Sequence, residues 1–364
     1  MKITQVISDS NIGGAGVLLS SICEGLCKKF DTEIVIPRGS LLKRRLLGIG
    51  ARLTELDISG ERSFSLSDTL TLLRHFKLSR PNVIHTHASL SARLAGRLLG
   101  DCVCVSTRHC AKDLKESRTS FLKRTIYERL TDITVSTADC ATANLLAEGV
   151  SEDKIRTIRN GVKALRRITD EEKARLLTQL GIKKDEIVLG VCSRLEPIKG
   201  HDLTLRAVAE LYSKIRNIRL LIIGGGSEES NLKRQAARLG ISDVCSFVGF
   251  VENPAPYQNI FHINLNASRG TETSCLATSE CMSLGIPTVA SDFGGNKEQI
   301  KNGENGLLFR TDDFLSMKDS LYKLLTDAPL YERLSLGARR SFEEHFSLSS
   351  MLREYEAFYN SLKY

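Results

Sequence analysis

A strand, a turn, a helix and a second strand are predicted in succession between residues 261 and 290, and this order constrains the fold most. The apolar runs 261–265 and 288–290 indicate two buried strands. The helix between them is expected to begin near Ser274 and to end at the Gly-Ile-Pro sequence of residues 285–287, because Gly followed by Pro stops a helix. A strand-helix-strand order is typical of parallel α/β sheets, and the same plan recurs along the chain.

Two glutamates flank the start of this predicted helix. Glu272 lies in the preceding loop and Glu280 lies inside the helix, about two turns along at ~3.6 residues per turn. A helix N-terminus attracts phosphate through its free N–H groups and its dipole, and carboxylates accept hydrogen bonds from sugar or ribose hydroxyls. The spacing alone fits equally well an exposed loop glutamate and a solvated helix glutamate. The backbone N–H groups expected to face a phosphate belong to Thr273, Ser274, Cys275 and Leu276.

The glutamate pair is part of a longer pattern that resembles a known family. The seven residues between Glu272 and Glu280, the Gly-Ile-Pro-Thr-Val-Ala-Ser-Asp sequence, Gly-Gly-Asn-Lys-Glu at 294–298 and Asn-Gly-Leu-Leu at 305–308 resemble the donor-site signature of the retaining glycosyltransferases of family 4. This resemblance implies an α/β GT-B fold, in which two doubly wound parallel-sheet (Rossmann-like) domains face each other across a cleft. It implies that Glu280 binds the ribose of the nucleotide and that Glu272 contacts the transferred sugar. Thr-Ser-Cys stands where many members have Gly-Phe-Gly, so the resemblance does not define the donor sugar.

Two cations lie together in the loop that follows the predicted strand 187–192. Arg194 and Lys199 are expected to clamp a diphosphate, since paired cations suit that group. Their loop resembles the Arg-Leu-x-x-x-Lys-Gly diphosphate motif of the same family. Charge on a departing diphosphate can be stabilised by fixed cations, so no cofactor is expected beyond the nucleotide-diphosphate sugar, and the reaction is expected to be metal-independent.

Three glycines and one aromatic residue are further candidates for ligand binding. Gly13 and Gly14 lie in the loop after the first predicted strand, residues 2–7; this loop is not a dinucleotide fingerprint, because Leu19 stands where GxGxxG requires glycine. A tight turn that packs helix on strand is the alternative. Gly225 lies in a glycine run that follows another predicted strand. By resemblance, Gly13 and Gly14 border the acceptor and the donor phosphate, and Phe250 lies beside the nucleotide base.

Three histidines follow predicted strands in the first half of the chain. His85 and His87 lie on one side of an extended segment, and His109 follows the next strand. All three are expected near the carboxyl edge of a parallel sheet, where ligands bind. Zinc would need a further carboxylate or cysteine at ligand spacing. The resemblance implies that His109 contacts the donor sugar. It leaves open whether His85 and His87 have a structural or a functional role.

The positive charge is concentrated in the first half. The chain has a formal charge of +8, and residues 1–165 carry 25 Lys and Arg against 17 Asp and Glu. This balance favours an anionic partner. Residues 40–50 predict a short basic helix, either an interfacial helix or, the favoured interpretation, an ordinary surface helix, and residues 111–129 predict a helix with a cationic face.

The expected domains are an N-terminal acceptor-side domain (1–165), a C-terminal nucleotide-sugar donor domain (166–345) and a last helix (346–364) that returns to the first domain. No apolar run approaches the ~20 residues of a membrane span, and the chain enters a strand at once. The ten cysteines contain no CxxC pair, which favours reduced thiols. The cytoplasm is therefore the expected location.

The predicted function is retaining sugar transfer of the hexosyltransferase type, in cell-surface polysaccharide or glycolipid assembly. The expected partners are a nucleotide-sugar donor and a saccharide or lipid-linked acceptor, with an anionic acceptor favoured by the charge. Peripheral contact with the inner membrane face is compatible with that charge, and a nucleic-acid partner is not expected. The alternatives are a GT-B sugar-nucleotide epimerase and a catalytically silent sugar-nucleotide-binding subunit.

Overall fold

The computed structural model describes residues 1–10, 13–60, 62–111 and 129–363. The chain divides into unit 1, Met1–Gly161 with Leu348–Tyr364, and unit 2, Val162–Ser347. The sequence analysis predicts the corresponding boundaries between residues 165 and 166 and between residues 345 and 346. The cationic helix predicted over residues 111–129 falls almost entirely outside the described residues.

Strands and helices alternate along the chain as predicted. The strands are β1 (Lys2–Ile7), β2 (Asp31–Pro37), β3 (Arg52–Leu56), β4 (Val83–His87), β5 (Val103–Arg108), β6 (Ile133–Ser136), β7 (Ile155–Thr157), β8 (Ile187–Cys192), β9 (Ile218–Ile223), β10 (Cys245–Gly249), β11 (Ile263–Asn266), β12 (Thr288–Ser291) and β13 (Gly306–Phe309). The α-helices of the described residues are α1 (Gly14–Leu26), α2 (Lys43–Leu46), α3 (Leu66–Ser79), α4 (Leu90–Leu99), α5 (Asp139–Ala147), α6 (Asp170–Gln179), α7 (His201–Tyr212), α8 (Glu229–Arg238), α9 (Ala255–Gln258), α10 (Leu276–Ser283), α11 (Asn296–Gln299), α12 (Phe314–Thr326), α13 (Ala328–Ser341) and α14 (Leu348–Ser361).

Unit 1 contains a parallel sheet with the order β3-β2-β1-β4-β5-β6-β7. Its central strands are buried almost throughout, as expected for a parallel sheet covered on both faces. The strand order reverses beside β1, which pairs with β2 on one side and β4 on the other. Ligands bind at such a switch point, beyond the carboxyl ends of the strands. Gly13 follows β1, His87 ends β4 and His109 follows β5, so all three lie at that edge.

Unit 2 repeats the plan with the order β10-β9-β8-β11-β12-β13, again parallel. Its switch point lies beside β8, which pairs with β9 and β11. The loop with Arg194 and Lys199 follows β8, and the loop with Glu272 follows β11. The topology therefore brings the predicted diphosphate motif and the predicted sugar motif to the same edge of one sheet.

The last helix, α14, packs into the core of unit 1. Met351, Tyr355, Phe358 and Tyr359 are buried against residues of α1 and of the central strands. The apolar spacing over residues 348–362 predicts this buried face. In the described ranges, no helix combines the length and the apolar character needed to cross a bilayer.

The apolar side of the short basic helix α2 packs into the core of unit 1. Leu42 and Leu46 are completely buried in a cluster with residues of α1 and β2, and Lys43 forms an ion pair with Glu55 at 2.7 Å. Leu41 and Leu47, which flank the helix, are exposed. An ordinary surface helix, the favoured interpretation of this segment, fits these contacts.

Candidate functional site

The loops after β8 and β9 lie side by side in unit 2. The backbone N–H of Ser193 donates to the carbonyl of Ile223 at 3.0 Å, and that of Leu195 donates to the carbonyl of Gly225 at 2.9 Å. Gly224 has φ +134°, and a Cβ there would lie 1.9 Å from the carbonyl oxygen of Ser193. Glycine is therefore required at Gly224 for this close approach. Gly225 tolerates a Cβ, which would make ordinary contact with Phe250 at 3.6 Å.

Arg194 extends from this paired loop into solvent, and the buried His201 fixes the loop beneath it. His201 Nε2 lies 3.0 Å from the carbonyl oxygen of Arg194. Burial lowers the pKa of His201, and because a carbonyl only accepts, the neutral ring donates from Nε2. The backbone of Arg194 is therefore held in place, whereas its side chain is exposed. His201 was not predicted as a site residue, although it directly follows the Lys-Gly of the motif.

Lys199 and Glu272 form a buried ion pair. Lys199 Nζ donates to Glu272 Oε2 at 2.6 Å, and Ser268 Oγ donates to the same oxygen at 2.8 Å. Only 5% of Glu272 is exposed, so the alternative of an exposed loop glutamate is wrong for this residue. The pair joins the predicted diphosphate loop to the predicted sugar-binding loop and lines one pocket with Cys275 and His201.

A network of buried polar side chains holds the loop that carries Glu272. Asn266 Oδ1 accepts from the backbone N–H of Ser268 at 3.1 Å, and Asn266 Nδ2 donates to Asn296 Oδ1 at 2.9 Å. Asn296 in turn donates to Ser291 Oγ at 3.1 Å, and the Ser291 hydroxyl donates to the carbonyl of Ser268. A fully satisfied buried network rigidifies its surroundings. Asparagines and serines at strand ends are the only sequence signal of it, and that signal is weak.

The Gly-Gly sequence at 294–295 packs against the backbone of the Glu272 loop. The N–H of Gly295 donates to the carbonyl of Glu272 at 3.0 Å. A Cβ on Gly294 would lie 2.4 Å from that carbonyl oxygen, and one on Gly295 would lie 1.6 Å from the carbonyl oxygen of Thr273. These two glycines are needed because only a bare backbone fits here.

The start of α10 differs from the prediction in one respect that matters for anion binding. The helix begins at Leu276 with Cys275 as its N-cap residue. The backbone N–H of Cys275 donates to Gln299 Oε1 at 3.2 Å, and Gln299 Nε2 donates back to the Cys275 carbonyl at 3.0 Å. The Cys275 N–H, one of four expected to face a phosphate, is therefore already engaged by a side chain. The hydroxyl of Ser274 is buried and has no hydrogen-bond partner among the described residues.

Glu280 lies on α10 as predicted, but it is the fifth residue of the helix and so lies about one turn from its start, not about two. It is partly buried, and one of its oxygens is anchored. Gln258 on α9 is fully buried and donates from Nε2 to Glu280 Oε2 at 2.8 Å. Burial, with a contribution from the Glu280 charge, raises the pKa of the nearby Cys192 to about 12. Burial likewise raises the pKa of Cys275, so the thiols around this site are neutral near pH 7.

Unit 1 carries the remaining predicted residues. Gly13 has φ −125°, and nothing lies within 4 Å of the position that a Cβ would occupy there, so its backbone does not require glycine; Gly14 is the first residue of α1. His109 is partly buried and lies 2.8 Å, Nε2 to Nδ1, from His87. Within the described ranges, no group of three or more His, Cys, Asp or Glu side chains is placed to hold a metal ion.

The structure thus gathers the predicted residues at two sheet edges. Unit 2 has Arg194, Lys199, Gly225, Phe250, Glu272, Glu280 and the residues 273–276 at the carboxyl ends of its strands. Phe250 is 70% exposed, which leaves its ring available for stacking. Unit 1 has Gly13, Gly14 and His109 at its own carboxyl edge.

Two Rossmann-like units with these strand orders are the architecture of the GT-B glycosyltransferases, and Arg194, Lys199 and Glu272 lie at the edge of the second sheet where ligands bind in such folds. The family profile described as Glycosyltransferase Family 4 matches residues 12–164, and the one described as Glycosyl transferases group 1 matches residues 172–341. The chain belongs to glycosyltransferase family 4.

Similar proteins support this assignment. A D-inositol 3-phosphate glycosyltransferase of Acidothermus cellulolyticus is 30% identical over 305 residues, 74% of this chain and 66% of the relative. An N-acetyl-alpha-D-glucosaminyl L-malate synthase of Bacillus anthracis is 25% identical over 250 residues, 63% of this chain and 65% of the relative. The matches to the curated relatives span between 41% and 71% of their lengths.

Solved structures share the fold over the whole chain. Anabaena HepE in complex with UDP has a TM-score of 0.85 at 19% identity and covers 100% of both chains. A glycosyltransferase from Rickettsia africae has a TM-score of 0.81 at 19% identity and covers 99% of this chain and 97% of its own. At 19% identity, the similarity to these two structures shows a shared fold and nothing more specific.

Proposed function

We propose that this protein transfers a sugar from a nucleotide-diphosphate sugar to an acceptor hydroxyl with retention of configuration. The observation that carries the proposal is the joining of Lys199 and Glu272 at 2.6 Å across two loops of the unit 2 switch point. This contact brings a cation for phosphate and a carboxylate for sugar hydroxyls into one small region. Arg194 supplies a second, exposed cation from the same loop as Lys199.

In the proposed reaction the cations stabilise the departing diphosphate. Fixed cations act well on charge that develops in the transition state, because they need no reorganisation when it forms. We expect transfer to proceed in excess chelator for the same reason. Glu272 Oε2 already accepts from Lys199 and Ser268, which favours hydrogen bonding to the sugar over nucleophilic attack.

The ribose is proposed to bind Glu280. Gln258 holds Glu280 Oε2 at 2.8 Å and thereby orients the carboxylate, whose oxygens can each accept more than one hydrogen bond. The nucleotide base is proposed to lie beside Phe250, whose exposed ring follows β10 at the same sheet edge. UDP is the first nucleotide to try, since it is bound to the structural neighbour HepE.

The acceptor is proposed to be an anionic saccharide or lipid-linked molecule of cell-surface polysaccharide or glycolipid assembly. Support comes from the excess of Lys and Arg in residues 1–165, which attracts anions. Two of the relatives are named for an inositol phosphate and for malate, both of which are anions. Peripheral binding to an anionic membrane face belongs to the same proposal, and equal binding to anionic and neutral vesicles would remove it.

A thermal-shift screen against nucleoside diphosphates and nucleotide sugars tests the donor site. One base is expected to stabilise the protein, by about 2.7 kcal/mol at a ligand concentration of 100 Kd. Glu280→Ala is expected to weaken that stabilisation, because the ribose loses its carboxylate. Glu210→Ala, which removes an exposed glutamate near the end of α7, serves as the matched control and should leave it unchanged.

Two results would contradict the proposal. Equal stabilisation of wild type and Glu280→Ala would remove the ribose role, and no stabilisation by any nucleotide would remove the donor site. Mass spectrometry of the products then separates transfer from its alternatives. An isomerised donor without transfer indicates an epimerase, and bound but unreacted donor with every acceptor indicates a silent binding subunit.

A further inference from the structure

A cavity lies at the amino edge of the unit 2 sheet, opposite the edge that carries the candidate donor site. Its volume is about 690 Å³, within the ~300–1,000 Å³ range of small-molecule sites. Its wall includes Glu186, directly before β8, and His262, directly before β11, whereas Arg194 and Glu272 follow the carboxyl ends of these strands. Since β8 has six residues, the two places are about 20 Å apart at ~3.3 Å per residue.

Part of the cavity wall is apolar and belongs to the core of unit 2. It consists of Leu177 on α6, Ile182 and Ile260. Ile182 and Ile260 are buried in a cluster against which Leu177 packs. These side chains are therefore held in place and offer a surface on which an apolar part of a ligand can be buried.

His262 contributes a hydrogen-bond donor whose tautomer is fixed. Its Nδ1 accepts from the backbone N–H of Val188 at 2.9 Å, a group that can only donate. Burial and the charge of Lys173 lower the pKa of His262, so near pH 7 the ring is neutral and carries its proton on Nε2. Among the described residues, no group accepts from this Nε2. A ligand group that meets it has to be an acceptor.

Two lysines add positive charge to the same wall. Lys173 on α6 is partly buried, and its charge acts on His262. Lys184 lies in the exposed part of the wall. Within the part of the chain that the structure describes, neither lysine forms an ion pair with an acidic side chain. Their charges are therefore available to a ligand.

The acidic residues of the wall are compensated by other groups. Glu186 accepts from Arg219 at 3.0 and 3.2 Å and from the backbone N–H of Lys183 at 2.7 Å. Asp170 and Glu171 are exposed in the first turn of α6, where the helix dipole stabilises negative charge and solvent ions screen it. The polar groups that remain for a ligand are an N–H donor and two cations.

We propose that this cavity binds an organic anion in which a carboxylate or phosphate group is joined to an apolar body. The anionic group accepts hydrogen bonds from His262 Nε2 and Lys173 Nζ, which are strengthened by charge. The apolar body covers Leu177, Ile182 and Ile260. The site goes beyond the proposed sugar transfer, because it shares no residue with the candidate donor site.

Titration of the full chain with ¹⁵N-labelled histidine, followed by NMR, tests the site. The chain has seven histidines, and His262→Gln identifies the signal of His262. Phenyl phosphate and benzoate are the probes, inorganic phosphate supplies the anion alone, and benzyl alcohol supplies the apolar body alone. We expect a saturable shift of the His262 Nε2 signal by at least one probe, with a Kd about tenfold lower than that of either fragment, because the two contributions add.

Three results of this titration would overturn the proposal. The first is the absence of a saturable His262 shift with both probes. The second is equally tight binding of benzyl alcohol, which would show a purely apolar cavity. The third is loss of the shift in saturating UDP, which would show that probe and nucleotide compete for one place. If UDP does not bind, the proposed function fails while the His262 shift still decides the anion site.

Neighbouring lysines provide a matched pair of variants. Lys173→Met is expected to raise the Kd of the probe about tenfold, because a charge-assisted hydrogen bond is lost. Lys183→Met removes an exposed lysine that is not part of the cavity wall and should leave the Kd unchanged. Equal Kd values for wild type and a folded Lys173→Met protein would overturn the role of the cation. Lys184→Met, at the exposed part of the wall, tests the same charge effect if Lys173→Met does not fold.

Discussion

Lys199 and Glu272 form a salt bridge that holds two charged side chains in fixed positions. Their side chains are 16% and 7% exposed and 2.6 Å apart, and the Ser268 hydroxyl adds a third member. Taking two charges out of water is costly unless they pair and hydrogen-bond well. The contact therefore holds a cation and a carboxylate at fixed positions on two loops, which is the preorganisation that the proposed reaction requires.

Removing the cation of this pair is expected to destabilise the protein. Lys199→Met leaves the buried Glu272 carboxylate without its counter-charge, which costs about 3 kcal/mol in the free energy of unfolding. Urea unfolding measures the change, and Lys199→Met combined with Glu272→Gln is expected to cost less than the two single substitutions together.

An exposed pair of the same length provides the control. Lys233 and Glu229 are also 2.6 Å apart, but their side chains are 52% and 35% exposed, so Lys233→Met is expected to change stability by no more than about 0.5 kcal/mol. Equal effects of Lys199→Met and Lys233→Met, or strict additivity in the double variant, would show that the Lys199–Glu272 contact does not stabilise the fold.

At the scale of elements, local patterns predicted the strands well and the start of α10 less well. The predictions for β1 and β8 are confirmed at both ends, because short apolar runs between polar turns define a buried strand. Helix α10 begins two positions later than Ser274, with Cys275 as its N-cap residue, and Gln299 forms hydrogen bonds with both the N–H and the carbonyl of Cys275. That contact joins residues distant in sequence, so no local rule contains it.

The packing of α11 against the loop before α10 can be tested at Gly295. Its φ of −69° suits any residue, so the effect of Gly295→Ala is steric alone: the new Cβ would lie 1.6 Å from the carbonyl oxygen of Thr273. A loss of about 1–3 kcal/mol in the free energy of unfolding is expected, with weaker nucleotide binding because the Glu272 loop must shift.

Gly13→Ala is the matched control for stability, since nothing lies within 4 Å of its added Cβ and its φ is −125°. Urea unfolding of both variants is expected to separate them clearly. If Gly295→Ala is as stable as Gly13→Ala, the close approach of the two backbones is not required.

At the scale of the whole molecule, two sheets with the same switch-point plan explain why the positions of many candidate residues could be predicted. Parallel sheets gather ligand-binding residues at strand ends, so Arg194, Lys199 and Glu272 could be assigned from their positions after strands together with the resemblance. The hydrogen bonds that the Tyr359 hydroxyl forms with Gln5 and His85 could not be predicted, because the last helix brings Tyr359 back to β1 and β4. Sequence spacing predicts a buried face for that helix but not the partner of one hydroxyl.

The buried histidines of unit 1 predict how stability depends on pH. Burial lowers the pKa of His85 to about 3 and that of His109 to about 4, from an ordinary value of 6.5. The unfolded chain therefore binds protons at a higher pH than the folded chain does. Stability is full above about pH 6.5 and is lost as the pH falls toward 4, by up to about 1.4 kcal/mol per pH unit for each histidine.

Urea unfolding between pH 7.5 and pH 5 as approximate limits measures this dependence. His109→Gln is expected to reduce the slope by the share of one histidine, because the substituted side chain no longer takes up a proton on unfolding. His345→Gln is the control, since the His345 side chain is 61% exposed. A slope that is the same in wild type and His109→Gln would mean that folding does not lower the pKa of His109.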